Sequence, residues 1–262
     1  MSQIPPDPSW QQPPGYSNYP RANDPFGRPP GVYFDAIGAA WKLVQSDLST
    51  WILTTLVGGF LIALVAGGCN IGINMLVYGS ILNTGPFDLM KYLTAAALGI
   101  IPNMVVGIFS GSLLYMGLKQ ARSEPLNIGD LFIGFQCAVP LMIATLFVSL
   151  VTALGFVCLI IPGFFLIGAL SFTPLLVIDR NMNPIEAMKA SFNTLRADAW
   201  AMFALLFVAG LVVALGYCAC FIGILFTLPV YFVTVGLTYN TYFPGAPVAY
   251  GNQYQIGVEP PR

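Results

Sequence analysis

Six stretches of the chain, at roughly 52–78, 93–117, 138–158, 160–179, 199–219 and 221–243, are long and almost wholly apolar. About twenty such residues suffice for an α-helix to cross a hydrocarbon layer of about 30 Å, and a helix satisfies its own backbone groups in lipid. The expected fold is all-α: a polytopic membrane bundle of six transmembrane helices with short amphipathic interfacial helices. The third and fourth stretches are continuous and are divided at "GFVCLIIPG", where Gly155 and Pro162-Gly163 permit a turn or a re-entrant element. The last two are divided between Gly216 and Gly223. Composition agrees, with 56% hydrophobic and 8% charged residues where a soluble domain has about a quarter charged.

The ends read differently. Residues 1–31 hold nine prolines among Gln, Asn, Ser and Tyr, a composition that cannot bury a core, so a disordered Pro-rich tail is expected there and a second disordered tail at 244–262. The membrane domain occupies 32–243. A Pro-rich tail suits docking to a cytoplasmic or membrane protein partner. The start lacks a basic region followed by a short apolar run and a small-residue cleavage site, so the first span is expected to act as its own targeting signal.

Basic residues set the expected orientation. Arg21, Arg28, Lys42, Lys119, Arg122, Arg180, Lys189, Arg196 and Arg262 fall on one side of a six-span arrangement and Lys91 alone on the other. By the positive-inside rule both termini are expected to be cytoplasmic.

Five of the chain's charges cluster in "VIDRNMNPIEAMKASFNTLR", residues 177–196. Asn183 as N-cap, Pro184 in the first helical position and Glu186 two residues later predict a helix start. On that helix Ile185, Met188, Phe192 and Leu195 form an apolar stripe, Glu186, Lys189, Asn193 and Arg196 a polar one, and Ala187, Ala190, Ser191 and Thr194 a small-residue face. Such a helix fits the membrane–water boundary, its small face admitting a close neighbour. The pattern recurs 151 residues earlier in "FDAIGAAWKLVQSD", with Phe34, Ile37, Trp41 and Val44 apolar, Asp35 and Lys42 polar, and Ala36, Ala39 and Ala40 small. Trp51 and Trp200 then open spans as expected interface anchors. A weaker third copy, "NIGDLFIGF", has Ile128, Leu131 and Phe135 in register and a possible cap from Asn127 and Asp130. The chain thus divides into three repeats beginning near 34, 128 and 185, each an amphipathic helix followed by a hairpin of two spans.

Several function classes are disfavoured. Without histidine there is no His-based triad, general base or metal ligand, and neither a cofactor nor a metal site is expected. A net charge of −1 with no basic cluster argues against nucleic acid; membrane lipids are the expected surroundings. The spans carry no ionisable residue short of Asp179 at the very end of the fourth, whereas coupled ion transport usually needs one in mid-membrane. Asn70, Asn74 and Asn103 are the candidate intramembrane polar residues, for helix packing or a small polar cavity, and Asn103 beside Pro102 marks a candidate kink. Ser110 and Ser112 in "FSGSLL" read as packing residues. Cys158 with Cys218 or Cys220 could form a disulfide on the far side; buried free thiols are the alternative.

The run "IPGFFLIGALSFTPLLVIDRNMNPIEAMKASFNTLRADAW" resembles bacterial six-span membrane proteins related to the glycerophosphoryl diester phosphodiesterase membrane domain. The resemblance is carried by Ile161-Pro162-Gly163, Pro184, Glu186-Ala187, Ser191 and Trp200. It implies a bacterial inner (cytoplasmic) membrane location. The separate phosphodiesterase domain of some such proteins needs length and histidines that this chain lacks. The expected function is non-enzymatic, a scaffold or accessory component, with a transporter, channel or lipid-handling role in a Gly/Asn-rich bundle interior as the alternative.

Overall fold

A computed structural model describes residues 30–79, 88–218 and 223–244; the two expected tails, apart from their inner edges, and Cys220 lie outside the described residues. Every regular element among those residues is helical: α1 (Ala36–Ser46), α2 (Leu48–Ile62), a π-helical turn (Ala63–Gly67), α3 (Gly68–Tyr78), α4 (Leu89–Leu98), α5 (Ile100–Ala121), a 3-10 helix (Ile128–Phe135), α6 (Ala138–Cys158), α7 (Ile160–Ala169), α8 (Thr173–Arg180), α9 (Pro184–Leu195), α10 (Ala199–Cys218) and α11 (Ile224–Tyr242).

Five runs among the described residues are long and apolar enough to cross a membrane: Leu48–Tyr78, Ala138–Cys158, Ile160–Arg180, Ala199–Cys218 and Ile224–Tyr242. The stretch expected as one span at 93–117 is instead divided at Gly99 between α4 and α5. Pro102 falls in the first turn of α5, where a missing N–H removes no ladder bond. It starts a helix there and does not kink one. The run Ile160–Arg180 is also interrupted, between α7 and α8.

The expected division at "GFVCLIIPG" is a turn. Leu159 alone is extended (φ −164°, ψ 148°) between α6 and α7, and Gly155 lies against Gly163, where an added Cβ would stand 3.1 Å from the Gly163 Cα. Helix α11 lies at the centre, packed by α5, α10, α1 and α2, while α7 packs on α6 and α10. Lipid tails are as apolar as leucine, so helices in a bilayer gain by close packing and not by leaving water. Two glycines deliver that closeness here. A Cβ on Gly236 would meet the Gly117 backbone at 2.5 Å, and one on Gly117 would run into the Phe232 carbonyl, so α5 and α11 touch backbone to backbone.

The two segments 151 residues apart bury matching positions. On α1 the buried residues are Ala36, Ala40 and Val44; 151 residues on, α9 buries Ala187, Ser191 and Leu195, together with Pro184. The third copy is a 3-10 helix, whose tighter winding keeps it short. It buries Leu131 and Gly134 and carries the expected Asn127/Asp130 capping box. The small faces therefore turn into the protein. The apolar stripes are split: Val44, Leu131 and Leu195 are buried with the small faces, whereas Phe34, Trp41, Ile128, Phe135 and Ile185 are exposed.

Candidate functional site

The densest polar structure in the described residues lies where α5, α8 and α11 end together. Each helix C-terminus carries roughly half a negative charge from its unsatisfied carbonyls, so three ends in one place require cations. Arg122, the residue that closes α5, supplies one and Arg180, the last residue of α8, another. Between them sits Asp179, whose side chain is fully buried.

The geometry is a fork. Arg122 Nη1 donates to Asp179 Oδ1 at 2.5 Å and Nη2 donates to Oδ2 at 3.0 Å, the bidentate arrangement that makes arginine–carboxylate pairs strong. Arg180 Nε donates to the same Oδ2 at 3.1 Å, and the Tyr239 hydroxyl donates to it at 3.0 Å. Arg122 also donates through Nε to Asn240 Oδ1 (3.2 Å) and through Nη2 to the Phe243 carbonyl (3.3 Å). Arg180 Nη2 reaches the carbonyls of Phe243 and Pro244 at 3.3 and 3.1 Å. Both arginines thus cap the end of α11 as well as neutralising the carboxylate. Aromatic rings close one side: Phe172 packs edge-on to Tyr239, and Tyr239 stacks on Phe243.

Flanking bonds extend the cluster across the same end. Trp51 Nε1 donates to Gln120 Oε1 at 2.6 Å, and Gln120 Nε2 donates to the Leu43 carbonyl at 2.5 Å, joining α1, α2 and α5. Lys119 pairs with Asp130 at 2.7 Å, tying the 3-10 helix to α5, and Tyr242 donates to Asp198 at 2.7 Å. Burial raises the Glu124 carboxyl above its ordinary value, against the opposing pull of Arg122 and Lys119.

Helix α9 begins as its sequence predicts, with the Asn183 side chain accepting from the Ile185 N–H and Pro184 in the first turn. Its Ser191 has a specific task. The hydroxyl donates to the Ala169 carbonyl (2.8 Å) and accepts from the Phe172 N–H (3.2 Å), stitching the interruption between α7 and α8. Ser112 does likewise elsewhere, donating to the Ile108 carbonyl and accepting from the Gly134 N–H, each at 3.0 Å. The exposed face of α9 presents Ile185, Glu186, Lys189 and Arg196, with Phe192 partly buried; α1 presents Phe34, Asp35, Trp41 and Lys42. Trp200 is half exposed, consistent with an interface anchor, but Trp51 is wholly buried and serves as a hydrogen-bond donor between helices.

The remaining sequence candidates do not converge. Asn70 and Asn103 are exposed and Asn74 is partly buried; the first two belong to α3 and α5, on either arm of the first hairpin. Cys158 and Cys218 are free thiols, so the pairing of Cys158 with Cys218 is not formed, and Cys220 lies outside the described residues. No family model, curated protein or solved structure matches the chain.

Sequence reasoning missed the pairing of Arg122 with Asp179, which are 57 positions apart. A signal was present. In a chain with so few charges, an aspartate directly following "TPLLVI" at the end of an apolar run must be paired or exposed, since an isolated buried carboxylate is prohibitively costly.

Proposed function

We propose that the chain is a six-span protein of a bacterial inner membrane, with α5 as the additional span and both termini cytoplasmic, acting as a non-enzymatic scaffold or accessory component. Kinship with the phosphodiesterase membrane-domain proteins belongs to this proposal for fold and location only. The observation that carries it is the ion cluster. It ties together three helix ends, the exit of the C-terminal segment and, through its flanks, α1 and the 3-10 helix. Thr145, Thr234 and Thr238 each donate to the carbonyl four residues back, whereas the buried hydroxyls of Thr54 and Thr173 have no hydrogen-bond partner among the described residues. A face tied in this way, bearing exposed aromatic residues, suits holding a partner at the membrane better than alternating access.

The test is mass spectrometry of what co-purifies with the protein in native lipid, comparing the full chain with one lacking residues 1–31. A protein partner lost with the tail supports the scaffold reading. A lipid or small molecule retained without the tail, and lost when Asn70, Asn74 and Asn103 are replaced by leucine, overturns it for the transport or lipid-handling reading. That second reading has an observation of its own: the interruption between α7 and α8, a feature that transporters place at substrate sites.

A further inference from the structure

Helix α2, the π-helical turn and α3 form one continuous run of 31 residues, Leu48–Tyr78. At 1.5 Å per residue that is about 46 Å, against a hydrocarbon layer of about 30 Å. Its hairpin partner is equally long, α4 and α5 having 10 and 22 residues on either side of Gly99. The other two hairpins are not: α6 has 21 residues, α10 has 20 and α11 has 19. To bury the whole Leu48–Tyr78 run in the slab as a straight rod would take a tilt of about 50°, beyond the range of about 0–40° that transmembrane helices adopt.

Yet the apolar surface does not stop where the slab would. Leu53, Leu56, Phe60 and Leu64 form an exposed stripe on α2 and its π-turn, and Ile71, Met75 and Leu76 continue it on α3 at 50, 50 and 76% exposure. Asn70 and Asn74 are four residues apart and share a face, about 100° round α3 from Ile71 and Met75. The junction is the π-turn, whose wider winding breaks the regular ladder. Its end is Gly67-Gly68, and a Cβ on either would meet nothing within 4 Å. The glycines at the helix crossings are fixed by neighbours; these two hold ordinary helical φ/ψ and make no such contact, and glycine is the residue that most readily lets a backbone bend.

Resting on the membrane-spanning reading above, we propose that α3 and α4 are not parts of spans but an interfacial hairpin that binds the far surface of the bilayer. It folds down at Gly67-Gly68 and at Gly99, placing Ile71, Met75, Leu76 and Met90 among the lipids and Asn70 and Asn74 toward the headgroups and water. This gives the two asparagines a place outside the bundle interior.

The experiment uses the full chain without its native cysteines, reconstituted in phosphatidylethanolamine/phosphatidylglycerol vesicles. Nitroxides are placed singly at Asn70→Cys, Met75→Cys, Leu76→Cys and Met90→Cys, with Phe60→Cys and Phe207→Cys as span controls. Collision with oxygen is compared with collision with a water-soluble nickel complex. The proposal expects oxygen-dominated access at 75, 76 and 90 at one shallow depth, nickel access at 70, and deep burial at 60 and 207. Wet labels at 75, 76 and 90 beside deep controls overturn it, as does a depth that changes steadily from 60 through 76 with residue 70 also buried. Wet controls at 60 and 207 overturn instead the membrane-spanning reading. Gly67→Ala with Gly68→Ala has room in the structure, and should lower oxygen access at 76 severalfold by stiffening the junction; no change there counts against the hinge.

Discussion

Removing the carboxylate of Asp179 should be among the most damaging single changes in this chain. The side chain is fully buried and accepts four hydrogen bonds, two from Arg122 and one each from Arg180 and Tyr239. Stranding one partner of a buried ion pair costs about 3–5 kcal/mol, and Asp179→Ala, which strands two cations, belongs at the top of that range. Arg122→Met belongs at about 3 kcal/mol, because Asp179 retains Arg180 and Tyr239. Replacing both, Arg122→Met with Asp179→Leu, removes the pair together, while Arg180 keeps the Phe243 and Pro244 carbonyls. Buried pairs exchanged for apolar groups are often neutral, so the double variant should lie within about 2 kcal/mol of the parent, far from the sum of the singles. The assay is thermal unfolding in mild detergent, read by reaction of the buried Cys137 thiol in a background without the other cysteines. At about 2–4 °C per kcal/mol, Asp179→Ala should melt 10 °C or so lower. Strict additivity of the two singles, or a shift under about 2 °C for Asp179→Ala, would refute the argument that the cluster locks the helix ends.

Other outcomes follow from the same coordinates. Gly236→Ala forces a methyl against the Gly117 backbone and should cost about 1–3 kcal/mol or more, whereas Gly210→Ala, with open space around it, should change the same melting curve by less than about 0.5 kcal/mol. Ser191→Ala unmakes both bonds across the α7–α8 interruption and should cost about 1–3 kcal/mol, with Ser191→Thr restoring part of it. Ser123 holds a positive φ of 58° just beyond α5, so Ser123→Gly should raise the melting point slightly, by relief of about 1 kcal/mol. The raised Glu124 pKa means the folded chain holds that proton more tightly than the unfolded one. Its contribution to stability is complete below the ordinary carboxyl value and is lost as pH rises through the raised one. Glu124→Gln should flatten that part of the melting-temperature profile.

Much of the fold could be read from local pattern. Apolar stretches of bilayer length marked the five runs long and apolar enough to cross a membrane, because each residue in such a stretch independently prefers lipid. The start of α9 was legible because Asn183, Pro184 and Glu186 act within one turn. The small face of α1 and α9 was legible because close packing demands small residues at helical spacing. What escaped was non-local or conformational. Arg122 and Asp179 meet only after two hairpins have folded, and nothing at either position names the other. Trp51 reads as an interface anchor because tryptophan at a span entry usually is one; in the fold Gln120, brought by α5, satisfies its N–H in the interior. The division at Gly99 escaped because one glycine in an apolar run reads equally as packing or as a break.

The central claim, that α1, α9 and the ion cluster lie on the cytoplasmic side with the α6–α7 and α10–α11 turns opposite, is tested most directly by thiol labelling with a membrane-impermeant maleimide. Native Cys158 and Cys218 end α6 and α10 and are exposed; Glu186→Cys in a cysteine-free background reports α9. The account predicts that Cys158 and Cys218 react in intact spheroplasts and that Glu186→Cys reacts only after the membrane is opened. Labelling of Cys158 and Glu186→Cys from the same side would contradict it.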